Sequence, residues 1–320
     1  MTETNWPALE IRIPISPTRA FFHQVRFFDH ALRQLGQPYE TALLRVVVGD
    51  DADMDAVRAA NLWSAEKPVE WIGVPREIFA QYGIHGTADF RLCLSPEAEV
   101  VVLADADTVW LNDIDPAFHL FAKGEKGLAG HMAHLPPPSP SAEFPDARED
   151  TAFWDWLFGQ FGLAAPEKLH NYSMDAQRRF GLAPPYFNLG FIVLTSAAVR
   201  EAGAAIFKRQ DRMLAVFPSQ MRCQIAMTLN AADFGWAVKT LPAAYNAAND
   251  ADHFSLNNLT IDGVRVLHYL RTHVIDRSRC VLPEHEAETR SLDCSHPLDA
   301  ELQRRILSFL EGLRPETEGA

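Results

Sequence analysis

Residues 101–111, VVLADADTVWL, place two aspartates one residue apart directly behind an apolar, β-branched run. Along a strand the side chains of residues i and i+2 leave on the same side, so Asp105 and Asp107 can converge on one point. A bend at the strand end lets one of them reach further. Two carboxylates on one point invite a cation, and hard divalent ions such as Mg2+ or Mn2+ take carboxylate oxygens and bring a diphosphate with them. Such an ion is a Lewis acid for a phosphate leaving group. The competing reading is that the pair caps a helix or lines a solvated loop. Spacing alone does not separate the two, because Asp51/Asp53, Asp53/Asp55, Asp113/Asp115 and Asp250/Asp252 repeat it. Only Asp105/Asp107 follows a buried-looking strand.

The elements that must hold this pair alternate between strand and helix. EIRIPIS at 10–16 reads as a strand that breaks at Pro17, and 19–35 carry apolar residues at helical spacing up to Gly36. LLRVVVGD at 43–50 is apolar enough to be covered on both faces, as in a parallel sheet with helices outside. Helix at 54–63, strand at 71–74, one or two helices within 75–95, EVVVLADAD, and a weaker strand at 126–132 follow. HLPPPSPSAEFPDARED, 134–150, reads as an exposed loop or lid. FWDWLFGQF, 153–161, reads as a helix buried on the sheet, with an acceptor platform or a membrane-touching patch as alternatives. A strand in 184–194, a helix around 219–231, strands near 236–241 and 264–270, and a helix over 298–313 complete the chain. In the last, Leu298, Leu302, Ile306, Leu310 and Leu313 form one docking stripe. In an open α/β sheet the ligand crevice lies beyond the carboxyl ends of the strands, where Asp105 and Asp107 fall.

Composition narrows the class. The 320 residues carry 29 Lys and Arg against 42 Asp and Glu, a formal charge of −13 that repels a nucleic-acid backbone. The start MTETNWPALE lacks the basic and apolar regions of a signal peptide, and no stretch approaches a membrane span, so a cytoplasmic location is expected. Cys93, Cys223, Cys280 and Cys294 have no C-x-x-C spacing and fit reduced thiols.

The run VVLADADTVWLNDID resembles the strand and metal motif of family 8 glycosyltransferases of the GT-A fold. Further landmarks follow the family's order from about residue 10 to 275. DFRL at 89–92 resembles its aromatic-Arg-Leu segment, and YFNLGFIVLT at 186–195 its F-N-x-G strand, with Asn188 and Gly190. CQIAMTLN at 223–230 is similar to D-Q-x-x-l-N, LPAAYN at 241–246 to L-p-x-x-w-N, and VLHY at 266–269 to the segment holding a metal histidine. The resemblance implies an α/β, GT-A fold with a Rossmann-like, mostly parallel central sheet flanked by helices. It implies a domain over 1–275 with a variable insertion at about 133–182, and a C-terminal helical extension over 276–320.

The activity implied is transfer of a sugar from a nucleotide diphosphate donor, a UDP-sugar, to an acceptor hydroxyl with retention. The acceptor class stays open among glycan, lipid-linked glycan, small molecule and protein, and a homo-oligomer is compatible with the chain. Asp105, Asp107 and His268 would hold Mn2+ or Mg2+, with imidazole favouring Mn2+. Ser16, Thr18, Arg91, Asp105, Ala106 and Arg271 would contact the donor, and Asn188, Gln224 and Arg91 would serve the reacting centre. No carboxylate nucleophile is marked, which favours a front-face route. Three departures stand out. The family's H-x-x-G-x-x-K series reads His268, Arg271, Val274, so its diphosphate lysine is missing and Arg271 or Arg277 is the substitute. Cys223 replaces the Asp of D-Q. RIPISPT ends the first strand without an aspartate to read uracil. The alternatives are a nucleotidyltransferase, which would want a Gly-rich phosphate loop that PISPTRAF is not, and a catalytically degenerate nucleotide-sugar-binding relative.

Overall fold

A computed structural model describes residues 8–175, 177–272 and 274–313. Residues 1–7 of the expected domain and 314–320 of the expected extension lie outside the described residues. The chain opens with β1 (Leu9–Ile15), α1 (Arg19–Arg33), β2 (Leu43–Val48), α2 (Met54–Ala60) and β3 (Val69–Gly73). Helices α3 (Arg76–Tyr82) and α4 (Ile84–Cys93) lead to β4 (Val100–Ala104), β5 (Thr108–Trp110) and β6 (Gly127–Met132). After α5 (Phe153–Gln160) come β7 (Phe187–Thr195), α6 (Ser196–Val216), α7 (Arg222–Asp233) and β8 (Ala237–Thr240). The end of the chain holds β9 (Ala247–Ala248), α8 (Ala251–Leu256), β10 (Val266–His268), α9 (Glu286–Ser291) and α10 (Pro297–Gly312).

Seven strands form one sheet in the order β3-β2-β1-β4-β7-β6-β8. Only β7 runs against the others, pairing antiparallel with β4 and β6, while the remaining pairs are parallel. The period of two along a strand sorts the core into two layers. Ile11, Ile13, Val102 and Ala104 face α1, whereas Val101, Leu103, Ile192 and Leu194 face α5, α6 and α7. Burying such a side chain contributes roughly 1.5–3 kcal/mol, which is why the central strands read as unbroken apolar runs.

Two charged residues interrupt β1 on purpose. Glu10 and Arg12 are both fully buried and pair at 2.7 Å. Arg12 also donates to the backbone oxygen of Arg91, so the sheet grips the last turn of α4. Breaking that pair would leave a charge stranded in the core, the costly form of a buried ion pair.

Three expectations change on contact with the structure. Helix α6, the longest, is absent from the sequence reading although Ala198, Val199, Ala202, Ile206 and Met213 line its buried face at helical spacing and Thr195 caps it. Strand alternation predicts the convergence of Asp105 and Asp107, but β4 ends at Ala104 and a turn closed by Thr108 brings them together. The proline-rich 134–150 segment is irregular, yet Pro136, Pro137 and Ala147 in it are buried. Helix α5 buries Phe153, Trp154, Leu157 and Phe158 and packs on Phe217 and Tyr186, so its aromatics are core. Helix α10 buries Leu298, Leu302, Ile306 and Leu310 against α1 and β10, with the Phe27 and Phe309 rings 5.4 Å apart. Among the described residues no helix is long and apolar enough to cross a membrane.

Candidate active site

Asp105 and Asp107 converge because of a turn. Thr108 donates to the carbonyl of Asp105 from its amide at 3.2 Å and from its hydroxyl at 2.8 Å, folding residues 105–108 back on themselves. The chain then enters β5, which pairs antiparallel with β10 in a register that sets His268 opposite Thr108. The amide of Tyr269 also donates to the Asp107 carbonyl at 3.0 Å. Register alone therefore carries the imidazole to the carboxylates. His268 Nε2 lies 3.1 Å from Asp107 Oδ1 and 3.9 Å from Asp105 Oδ2, and one ligand atom from each residue falls within 4.8 Å of the others. Among the described residues no other trio of His, Cys, Asp or Glu does so.

Behind the imidazole runs a chain of polar contacts. Nδ1 of His268 donates to Asn246 Oδ1 at 3.0 Å, Asn246 donates to Asn188 Oδ1 at 3.0 Å, and the Gly190 amide donates to the same oxygen at 2.8 Å. The ring is thereby fixed with Nε2 toward the carboxylates, the arrangement metal-binding histidines use. Gly190 is the floor of the ring: a Cβ there would strike Cε1 and Nδ1 of His268. Burial works against a charge on His268, but Asp107 and Asp105 outweigh it and raise its pKa. Burial, with repulsion from Asp107, raises Asp105. Asp107 is buried too, yet His268 and Arg277 hold its carboxyl below the usual range.

The arginines divide their work. Arg91 is 1% exposed and bonds Ala88 O at 2.8 Å and Ala104 O at 2.9 Å, with Asp105 Oδ1 3.7 Å away. It braces the end of β4 from beneath and reaches the cleft only through Asp105. Arg277 ion-pairs with Asp107 Oδ2 and faces solvent in part. Arg271 points elsewhere, to Asp250 at 2.8 Å and Met174. Of the two candidates for the missing lysine, the structure brings Arg277 to the carboxylates and leaves Arg271 apart.

Asp105, Asp107 and Arg277 line a cleft of about 380 Å³ together with Thr18, Phe21, Gln24 and Ala106, among others. Thr18 lines it while its hydroxyl caps α1 by accepting from Phe21 N at 3.3 Å, and Ser16 sits half-buried at the same turn. The Ala106 carbonyl accepts from Tyr269 at 3.2 Å. Gln224 accepts from Leu189 N at 3.3 Å and donates to Tyr186 at 2.9 Å, so α7 presents it to β7 next to Asn188. Cys223 does not stand in for a carboxylate: it is buried against His85, 3.5 Å away, and burial raises its thiol pKa well above the ordinary value.

The other Asp-x-Asp pairs have structural employment. Asp53 caps α2 and Asp250 caps α8. Asp113 and Asp115 each place an oxygen 2.6 Å from the Tyr39 hydroxyl, whose single proton they share. Two features escaped the sequence reading. Asn246 ends the LPAAYN stretch, and only its place behind His268 shows its use. His131 and His253, both buried, cluster with the half-buried His134, the ring centroids of His131 and His134 lying 5.8 and 4.8 Å from that of His253. Burial pushes His131 and His253 down to about 4 and His134 to about 2.

The donor set of Asp105, Asp107 and His268 fits a divalent ion. Neighbouring ligands on an octahedral ion lie roughly 3 Å apart, close to the His268–Asp107 spacing. Two hard oxygens and one imidazole suit Mn2+ or Mg2+ better than a soft ion.

No protein-family model matches the chain, and no curated protein matches it in sequence. Solved structures do. The galactosyltransferase LgtC, in complex with donor and acceptor sugar analogs, aligns with a TM-score of 0.56 at 16% identity over 97% of this chain and 98% of its own. An active-site mutant of LgtC gives 0.54 at 16% identity over 96% and 98%. The glycosyltransferase GlyE of Streptococcus pneumoniae TIGR4 gives 0.51 at 13% identity, over 95% of this chain and 62% of its own. At such identities the likeness is one of fold. The chain has the GT-A fold that these glycosyltransferases share.

Proposed function

We propose that this protein is a metal-assisted glycosyltransferase that moves a sugar from a nucleotide diphosphate donor, UDP-linked, to an acceptor hydroxyl with retention. The carrying observation is the Asp105–Asp107–His268 trio, whose two aspartates line a cleft beyond the carboxyl end of β4, in a GT-A fold. Fold alone does not assign chemistry. The trio on that fold supports it, because carboxylate oxygens and an imidazole are ligands that a divalent cation carrying a diphosphate takes.

Asp105, Asp107 and His268 would hold Mn2+ or Mg2+, which when bound neutralises the diphosphate as a leaving group. Everything else falls to the chain itself. Arg91 keeps Asp105 in place from below, and Arg277 offers a cation at the cleft's edge. Asn188 has its oxygen committed to Gly190 and Asn246, which aims its amide, and Gln224 retains one N–H and one lone pair for sugar hydroxyls. Retention without a marked nucleophile supports a front-face route. The insertion at about 133–182 would shape the acceptor side.

Thermal unfolding with UDP and a panel of nucleotide sugars, each with and without Mn2+, tests this for the wild type and Asp107→Ala. A Mn2+-dependent rise in midpoint with one UDP-sugar, absent in the variant, is expected. No rise with any nucleotide in the folded wild type would sink the reading. Binding without transfer to any acceptor would leave a nucleotide-sugar-binding relative in its place.

A further inference from the structure

Both oxygens of Asp107 are engaged: Oδ1 by His268 at 3.1 Å and Oδ2 by Arg277. Asp105 is held more loosely, 3.7 Å from Arg91 and 3.9 Å from His268. Counting the fixed charges, Asp105 and Asp107 are balanced by Arg91 and Arg277. A divalent ion entering this balanced set meets two guanidinium groups, one of which already holds Asp107 through Oδ2 and shares its charge.

The two guanidiniums differ in freedom. Arg91 is encased and tied to Ala88 and Ala104. The Arg277 side chain is 43% exposed and lines the cleft, while its backbone is pinned: Gln24 donates to its carbonyl at 2.6 Å, and Asp276 accepts from Ser278 N at 2.9 Å. A fixed backbone carrying a free, long, charged side chain can exchange one anion for another without moving the loop.

We propose that Arg277 competes with the divalent cation for Asp107, so that metal binds weakly alone and strongly only when an anionic diphosphate in the cleft draws the guanidinium away. This rests on the nucleotide-diphosphate reading above. By linkage, whatever factor the nucleotide adds to metal affinity, the metal adds to nucleotide affinity. Arg277 is thus a positioning residue that makes occupancy of the two sites mutually dependent, and it keeps a lone metal from sitting in the cleft.

The experiment is Mn2+ binding, followed by the paramagnetic resonance signal of free Mn2+, with and without UDP, for the wild type, Arg277→Gln and Arg277→Lys. Unfolding midpoints serve as the check on folding. In the wild type UDP should tighten Mn2+ binding at least tenfold. Arg277→Gln should bind Mn2+ alone about fivefold or more tighter than the wild type, the loss of one partly buried competing ion pair, and UDP should then add much less. Arg277→Lys, which keeps the charge, should stay near the wild type. Mn2+ affinity without UDP that is the same within twofold in Arg277→Gln and the wild type overturns the competition and leaves the transferase reading intact. A wild type that binds neither Mn2+ nor UDP in any combination overturns both.

Discussion

His268 and His253 are equally inaccessible, 1% and 0% exposed, yet their ring nitrogens meet opposite surroundings. His268 stands between two carboxylates and an asparagine, and its pKa rises against the pull of burial. His253 faces two other histidines, both its ring nitrogens lack a partner among the described residues, and burial drives it down to about 4. Burial lowers both, so it accounts for the fall at His253 but not for the contrast between the two. The opposite charge within hydrogen-bond reach decides the first, and its absence decides the second. A perturbed histidine therefore marks a site only where a specific partner perturbs it.

The strongest way to break this contrast is to remove the partner. Asp107→Asn keeps shape and removes the charge that both His268 and Arg277 answer. Transfer activity should fall about a thousandfold, the scale of losing a key charge-stabilising group. His253→Phe, by comparison, should keep activity within about twofold. Equal losses in the two variants would dissolve the distinction.

Gly190→Ala tests the floor of the ring rather than its partner. The new methyl would occupy the place of the His268 imidazole, and displacing a ligand by about 1 Å costs on the order of a hundredfold in kcat/KM. Wild-type activity in this variant would mean that His268 does not work where the structure puts it. Asn246→Ala leaves the ring its room and removes its orienting acceptor. Mn2+ affinity, measured with UDP present, should fall about tenfold, as for other groups that orient a metal ligand. Unchanged affinity would assign Asn246 to the core alone.

These residues also show how far the sequence could be read. Asp105 and Asp107 were legible because a continuous apolar strand ends just before them, and His268 because it follows in the order of the family's landmarks. The convergence of the three was not, since it depends on the Thr108 turn and the β5–β10 register, which are tertiary facts. Arg277 could not be told from Arg271 on sequence for the same reason: they lie six positions apart, and the loop sends one to Asp107 and the other to Asp250. Helix α6 is a different case. Its periodic apolar face lay open to view, with Gly203 letting it close on α4, where a Cβ would meet the Leu92 carbonyl.

The smallest expected effect concerns stability and pH. His253 titrates at about 4 in the folded protein, against about 6.5 in an unfolded chain. Between those values the unfolded state binds a proton that the folded state refuses, so this residue's contribution weakens as pH falls from 6.5 toward 4. His131 acts in the same direction, whereas His268, raised, and Asp89, raised to about 7, act in the opposite one. The slope of total stability with pH therefore mixes signs, and the comparison of wild type with variant reads His253 together with its coupling to His131 and His134. In urea unfolding from pH 7 to 4.5, His253→Phe should lose less stability than the wild type, by up to about 1.4 kcal/mol per pH unit for one proton. At pH 7 it should be as stable as the wild type or more so, because two unpartnered buried nitrogens are replaced by carbon. Parallel curves would show that His253 is protonated or partnered in the folded state, and the two histidines would then no longer be opposites.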